Sequence, residues 1–130
     1  MRLVKLCVSV NAVAELTVYE KRTCSTCRNL AVLLEERGVD FERVDYHVEP
    51  LSEAEIRALV AKTGRPAREL FRAREPIYSE LGLAEREADD DEAIALMAEH
   101  PALMQRPVVV RGERAVLGRP VERVLELLDG

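Results

Sequence analysis

Two cysteines, Cys24 and Cys27, stand three positions apart and are the residues of this sequence best suited to carry out chemistry. They lie between a short apolar run, residues 16–19, and an amphipathic run that begins at Leu30, which is typical of a strand, a tight turn and a helix. At a helix start, unpaired backbone N–H groups and the helix dipole favour a thiolate over a thiol, and the thiolate is the nucleophile. Cys27 lies one helical turn after Cys24 and can form a disulfide with it. The spacing therefore predicts a reactive thiol pair in which Cys24 attacks.

The composition restricts the classes of protein to which the chain can belong. Its 130 residues suggest one domain, and an apolar content of 48% suits a globular fold. A formal charge of −5 argues against a nucleic-acid binder that neutralises phosphates. No stretch approaches the roughly 20 apolar residues of a transmembrane helix. We therefore expect neither nucleic-acid nor membrane partners.

The count of three cysteines favours a redox pair over a disulfide framework. Cys7 is remote in sequence from the other two. His47 and His100 are isolated, so a zinc site would lack its second pair of ligands. We therefore expect no metal, and a location in a reducing compartment, the cytoplasm.

Residues 1–15 fit an N-terminal extension or an extra strand ahead of the main domain, residues 16–130. A charged start followed by apolar residues faintly resembles a signal peptide. The apolar run is short, however, and is broken by Ser9 and Asn11, which favours the other two interpretations.

Apolar periodicity and local stop signals predict the order of elements in the main domain. After the Cys24 turn, a helix over Ser25–Arg37 ends at Gly38, and a strand follows over Phe41–Asp45. Three helical regions are predicted next: a helix with a Ser52–Glu55 capping box that ends at Gly64, one or two short helices within residues 65–82, and a helix from Asp89–Asp91 to His100. A hairpin follows, with strands over residues 107–110 and 115–117 and a turn over residues 111–113. The last predicted element is a helix with Pro120 at its first position and with Val121, Val124, Leu125 and Leu128 on its apolar face.

This order joins a strand–helix–strand half to a strand–strand–helix half through a helical insertion. With a Cys-x-x-Cys pair after the first strand, it is the thioredoxin-like arrangement of α/β proteins, with a mixed four-stranded sheet. In that arrangement the proline before the third strand is typically cis and lies beside the cysteine. Pro107 is the candidate, although statistics alone favour an ordinary trans bond.

Six motifs in the same order resemble those of one known family. They are Cys24–Arg28, Arg68–Arg72, Glu75–Tyr78, Glu80–Leu83, His100–Pro107 and Leu117–Pro120. From about Leu16 to Leu128, the chain resembles the ArsC family, which comprises the glutaredoxin-coupled arsenate reductases and their Spx relatives.

The resemblance implies that Cys24 attacks arsenate and that Arg72, Arg106 and Arg119 hold the oxyanion. Guanidinium groups present paired donors to tetrahedral oxyanions and keep their charge. Arginines gathered around Cys24 would also lower the pKa of its thiol. Cys27 would then displace the product by forming a Cys24–Cys27 disulfide. The resemblance implies no bound cofactor, with glutathione, glutaredoxin or thioredoxin as the electron donor.

Two residues depart from the pattern of the arsenate reductases. Cys27 stands where those of the one-cysteine mechanism usually have serine, and Glu20 stands where they commonly carry histidine. A Cys-x-x-Cys pair is instead seen in Spx, a redox-sensing regulator that binds RNA polymerase. Two alternatives therefore stand beside arsenate reduction: an Spx-like regulator, and a thiol-disulfide or deglutathionylating reductase that does not act on arsenate.

Overall fold

Four strands form one mixed sheet in the computed structural model, which describes residues 16–129. The strands are β1 (Leu16–Glu20), β2 (Phe41–Asp45), β3 (Val108–Arg111) and β4 (Arg114–Leu117), in the spatial order β2-β1-β3-β4. β1 runs parallel to β2 and antiparallel to β3, and β3 and β4 form an antiparallel hairpin. The predicted α/β fold with a mixed four-stranded sheet is therefore confirmed. The expected N-terminal extension or extra strand, residues 1–15, lies outside the described residues, as does Cys7.

The helices follow the order that the sequence predicts, and the second of them has the expected capping residues. The Ser52–Glu55 capping box has both of its hydrogen bonds, and Gly64 ends the same helix with a φ of 69°. The α-helices are α1 (Ser25–Glu36), α2 (Glu53–Thr63), α3 (Pro76–Glu80), α4 (Asp90–Glu99) and α5 (Leu125–Asp129), and short 3₁₀ helices span Ala67–Leu70, Pro101–Leu103 and Val121–Val124. Within this part of the chain, no helix has the length and apolar character needed to cross a bilayer.

Apolar side chains form two clusters, one on each face of the sheet. Strand β3 contributes residues to both clusters, because Val109 points to one face of the sheet and Val108 and Val110 point to the other. The first cluster contains residues of α2 and α4, including Ile56, Leu59, Ile94 and Met97. The second contains residues of α1 and the C-terminal helices, including Leu30, Leu34, Val124 and Leu127. Helices therefore cover both faces, and α1 is fixed against β1 with its N-terminus at the end of that strand.

The C-terminal helix begins differently from the prediction. Pro120 is not at the first helical position: it precedes the 3₁₀ helix Val121–Val124 as its N-cap, and α5 begins only at Leu125. A 3₁₀ helix has about 3.0 residues per turn, against 3.6 in an α-helix. The predicted apolar stripe contains Leu125 but not Leu127. With the changed helical phase, Leu127 is buried and Leu125 is only half-buried.

Candidate active site

Cys24 is the N-cap residue of α1, where the sequence places it. Its backbone is extended, with φ −77° and ψ 123°, and its sulfur accepts a hydrogen bond from the Cys27 backbone N–H at 3.4 Å. Helix α1 has no acidic residue in its first turn. The positive end of the helix dipole therefore acts on the Cys24 sulfur without a neighbouring carboxylate on the helix to offset it.

The loop between β1 and α1 is held by Asp45, the last residue of β2. Its carboxylate accepts hydrogen bonds from the backbone N–H of Arg22 at 3.1 Å and of His47 at 2.9 Å. Burial opposes ionisation of this carboxyl, but these hydrogen bonds outweigh it and lower the pKa of Asp45. The acidic side chain thus fixes the turn that presents Cys24.

The two thiols of the pair have opposite electrostatic environments. Cys24 is partly exposed and Cys27 is fully buried, and both are free thiols. Burial raises the pKa of the Cys27 thiol to about 12. Burial also opposes ionisation of Cys24, but hydrogen bonds from the Cys27 thiol and backbone outweigh it. With smaller contributions from Arg106 and Arg119, the pKa of Cys24 is lowered. Cys24 is therefore the thiol that ionises first.

The titration seen in Cys24 alkylation should lie at lower pH than that of an ordinary cysteine thiol, because the pKa of Cys24 is lowered. Iodoacetamide should modify Cys24 in the reduced protein, which keeps both thiols of the pair, with a rate that follows this titration. Mass spectrometry that distinguishes modification at Cys24 from modification at Cys27 measures it. The substitution Arg119→Gln removes a positive charge near the sulfur and should move the titration to higher pH. A half-maximal rate at or above the ordinary thiol value would contradict this reading of the site.

Arg119 and Arg106 lie next to Cys24 in the structure. Arg119 Nη2 is 3.7 Å from the Cys24 sulfur, and Arg119 Nε donates a hydrogen bond to the Arg106 carbonyl at 2.6 Å. Each arginine precedes a cis proline, so the expectation of a cis bond at Pro107 is confirmed, and Pro120 adds a second that the sequence does not predict.

The Arg106 side chain is buried without a full set of partners. It is 7% exposed, and within the described part of the chain its Nε and Nη1 atoms have no hydrogen-bond partner. Its Nη2 lies 4.0 Å from the Glu75 carboxylate. Because buried polar groups are normally paired, these free donors indicate a place for an acceptor beside Cys24.

Arg72 is also buried and belongs to the same charged group. Its Nε donates to Glu75 Oε2 at 3.1 Å and its Nη1 to Gln105 Oε1 at 2.7 Å. Glu75 therefore lies between Arg72 and Arg106, and it connects Arg72 indirectly to Cys24. The structure thus brings Arg106 and Arg119 to the cysteine pair at α1 and links Arg72 to Arg106 through Glu75.

Three further polar residues shape the site, and the sequence analysis gives none of them this role. Glu75 and Gln105 orient Arg72, and a long-range bridge between Phe71 and Met104 brings their segments together. Glu20 is 1% exposed. The two-residue period of β1, which puts Glu20 on the same face as the buried positions of the strand, could have revealed this burial.

No cluster of three or more metal-ligating side chains occurs among residues 16–129. The residues at the site are instead thiols and guanidinium groups. This combination can bind an anion and bring it to a nucleophilic sulfur.

Fold and site together define a thioredoxin-like α/β protein with a thiol pair beside buried arginines. Comparison with known proteins agrees. The ArsC family matches residues 19–127. The chain is 39% identical to the uncharacterized protein YfgD of Escherichia coli strain K12, over 88% of this chain and 97% of that protein. It is 36% identical to an arsenate reductase of Neisseria meningitidis serogroup B, over 88% of this chain and 98% of that enzyme. The structure of an arsenate reductase from Vibrio cholerae superposes with a TM-score of 0.81 at 35% identity, covering 88% of this chain and 98% of that one. The chain belongs to the ArsC family.

Proposed function

We propose that this protein reduces arsenate to arsenite. The observation that carries the proposal is the position of Arg119 Nη2, 3.7 Å from the Cys24 sulfur, beside the buried and incompletely paired guanidinium of Arg106. A thiolate with guanidinium donors around it suits a substrate that is both an oxyanion and an electrophile. The arsenate reductases among the relatives support the choice of arsenate.

The reaction begins when the Cys24 thiolate attacks arsenic(V) and one arsenate oxygen leaves as water after protonation. Arg106 and Arg119 bind the remaining oxygens, with Arg72 held in place by Glu75 and Gln105. Cys27 then attacks the Cys24 sulfur, so the Cys24–arsenic bond breaks and its electron pair stays on arsenic. The thiols are oxidised to a disulfide, and arsenic leaves as arsenic(III).

Glutathione, glutaredoxin or thioredoxin would then reduce the Cys24–Cys27 disulfide and return the two thiols. In a second route, glutathione attacks the Cys24 adduct directly and Cys27 takes no part. Both routes consume reduced thiols, which is why we place the reaction in the cytoplasm.

Arsenate turnover measured in turn with a glutathione–glutaredoxin system and with a thioredoxin system tests the proposal. The Cys27→Ser variant should lose turnover with thioredoxin by about a hundredfold or more, because the disulfide that thioredoxin reduces can no longer form. Turnover with glutathione should persist if the direct route operates. Equal rates for the variant and the parent with both donors would remove Cys27 from the mechanism.

Absence of arsenate turnover with both donor systems would refute the proposed substrate. Disulfide formation without turnover, together with co-purification of RNA polymerase, would then favour the Spx-like alternative. Activity on mixed disulfides that is insensitive to Arg119→Ala would favour the thiol-disulfide reductase.

A further inference from the structure

Glu20, the last residue of β1, is a carboxylate buried in the protein interior. Its side chain is 1% exposed, and its Oε2 accepts a hydrogen bond from Arg43 Nε at 2.7 Å. Its Oε1 is also buried and has no hydrogen-bond partner among residues 16–129. A buried carboxylate oxygen without a donor destabilises a fold, so this atom calls for an explanation.

Glu20 and Cys27 both face the interior between β1 and α1. Glu20 shares a face of β1 with Leu16 and Val18, and that face packs against α1, which carries Cys27 in its first turn. Burial raises the pKa of the Cys27 thiol, and the nearby charges of Cys24 and Glu20 raise it further. The free oxygen of Glu20 is therefore a basic atom in the same buried region as the Cys27 thiol.

Cys27 needs a proton acceptor once Cys24 has reacted. In the resting site, a Cys24 thiolate, which accepts the Cys27 backbone N–H at 3.4 Å, places a negative charge beside Cys27. An adduct on Cys24 removes that negative charge, and Cys27 must still lose its proton to attack. The Cys27 side chain is 0% exposed, so bulk water is poorly placed to take the proton.

We propose that Glu20 Oε1 accepts the proton of Cys27 when Cys27 attacks the Cys24 adduct. The Cys27 sulfur bonds to the Cys24 sulfur, and the bond from Cys24 to the attached group breaks. That group, arsenic(V) or the second sulfur of a mixed disulfide, leaves with the electron pair and is reduced. The proton ends on Glu20, while Arg43 holds Oε2 and leaves Oε1 free to receive it.

This inference rests on the proposed function only for the role of Cys27 as the second attacking thiol. It can therefore be tested without arsenate, using an aromatic disulfide that releases a coloured thiolate. The first release reports the attack of Cys24 on the reagent, and the second reports the attack of Cys27 on the mixed disulfide. A Cys7→Ser parent, which retains only the thiols of the pair, keeps the two releases separate in stopped-flow measurements.

Glu20→Gln in this parent should slow the second release at neutral pH by about tenfold or more, as expected when a positioned general base is lost. Its second release should also rise more steeply with pH than that of the parent, because solvent hydroxide must then take the proton of Cys27. The first release should change by no more than about twofold, since Cys24 is already the ionised thiol. Glu42→Gln, which removes an exposed carboxylate from strand β2, is the matched control and should alter neither release.

Arg43→Gln separates a proton acceptor from a structural ion pair, because it removes the charged partner of Glu20 and keeps the carboxylate. The glutamine amide can still donate to Oε2, so the proposal expects this variant to keep a second release faster than that of Glu20→Gln. Equal slowing by Glu20→Gln and Arg43→Gln with no change in pH profile would overturn it, as would an unchanged second release in Glu20→Gln.

If Glu20→Gln does not fold, Glu20→Asp takes its place and should slow only the second release. An unaffected second release there would equally overturn the proposal. Failure of the parent to show any second release would instead overturn the role of Cys27 in the proposed function, and this inference with it.

Discussion

Cys24→Ser is expected to lower arsenate turnover by at least about a thousandfold, in the range seen when a catalytic nucleophile is removed. The serine hydroxyl does not ionise near neutral pH, so neither the helix dipole nor the nearby guanidinium groups can make it a comparable nucleophile. The fold should be unaffected, because serine is a favoured N-cap residue and Cys24 occupies the N-cap of α1.

Steady-state turnover and thermal unfolding, measured on the same Cys24→Ser preparation, check this expectation. Arsenate should still raise the melting temperature of the variant, because the arginines that we propose as oxyanion ligands remain. A variant that retains more than about a tenth of the parent turnover would show that Cys24 is not the nucleophile.

Arg106→Met is expected to lower kcat/KM for arsenate by about a hundredfold to a thousandfold, the range seen when one anion-stabilising donor is lost. Most substitutions of buried residues lower the free energy of unfolding, but this one should not. The buried guanidinium has two unpaired nitrogens, and Glu75 keeps Arg72 as its closer partner at 3.1 Å. Replacing such a charge with an apolar side chain of similar length should leave the free energy of unfolding unchanged or raise it by roughly 0 to 2 kcal/mol.

Chemical denaturation together with arsenate kinetics tests both parts of this expectation. Arg57→Met is the control, because Arg57 is exposed on α2 and pairs with the exposed Asp91 of α4. It should alter neither property. If Arg106→Met retained full activity, or unfolded with a loss of several kcal/mol, Arg106 would be a structural residue rather than an oxyanion ligand.

The parts of the site that the sequence analysis predicts well are those set by local chain geometry. Cys24 and Cys27 lie within one helical turn, so their spacing alone brings the thiols together. The capping box at Ser52 and the end of the same helix at Gly64 follow from residue types only a few positions apart. The strand order follows from the βαβ and hairpin units, which leave few arrangements open.

Other features depend on contacts that no local pattern encodes. Arg72 is oriented by Gln105 across 33 positions of sequence, through a bridge between two irregular segments. Only the family resemblance selects the arginines, since charged residues of this kind are usually at the surface. The start of the C-terminal helix is mispredicted because Val121 to Val124 fits both a 3₁₀ and an α-helical phase, and packing of Leu127 against the sheet decides between them.

The β3–β4 hairpin has a consequence for how the length of this chain can vary. Arg106 and Arg119 lie just outside its two ends, and Val108 stands opposite Leu117 in the ladder. Insertion of one residue into either strand would shift one of the two arginines along the strand by about 3.3 Å. Such a shift would break the 2.6 Å hydrogen bond from Arg119 Nε to the Arg106 carbonyl. An insertion at the turn, Gly112 and Glu113, would leave the ladder in register. Length changes in this part of the chain therefore preserve the contact between Arg106 and Arg119 only at the tip of the hairpin.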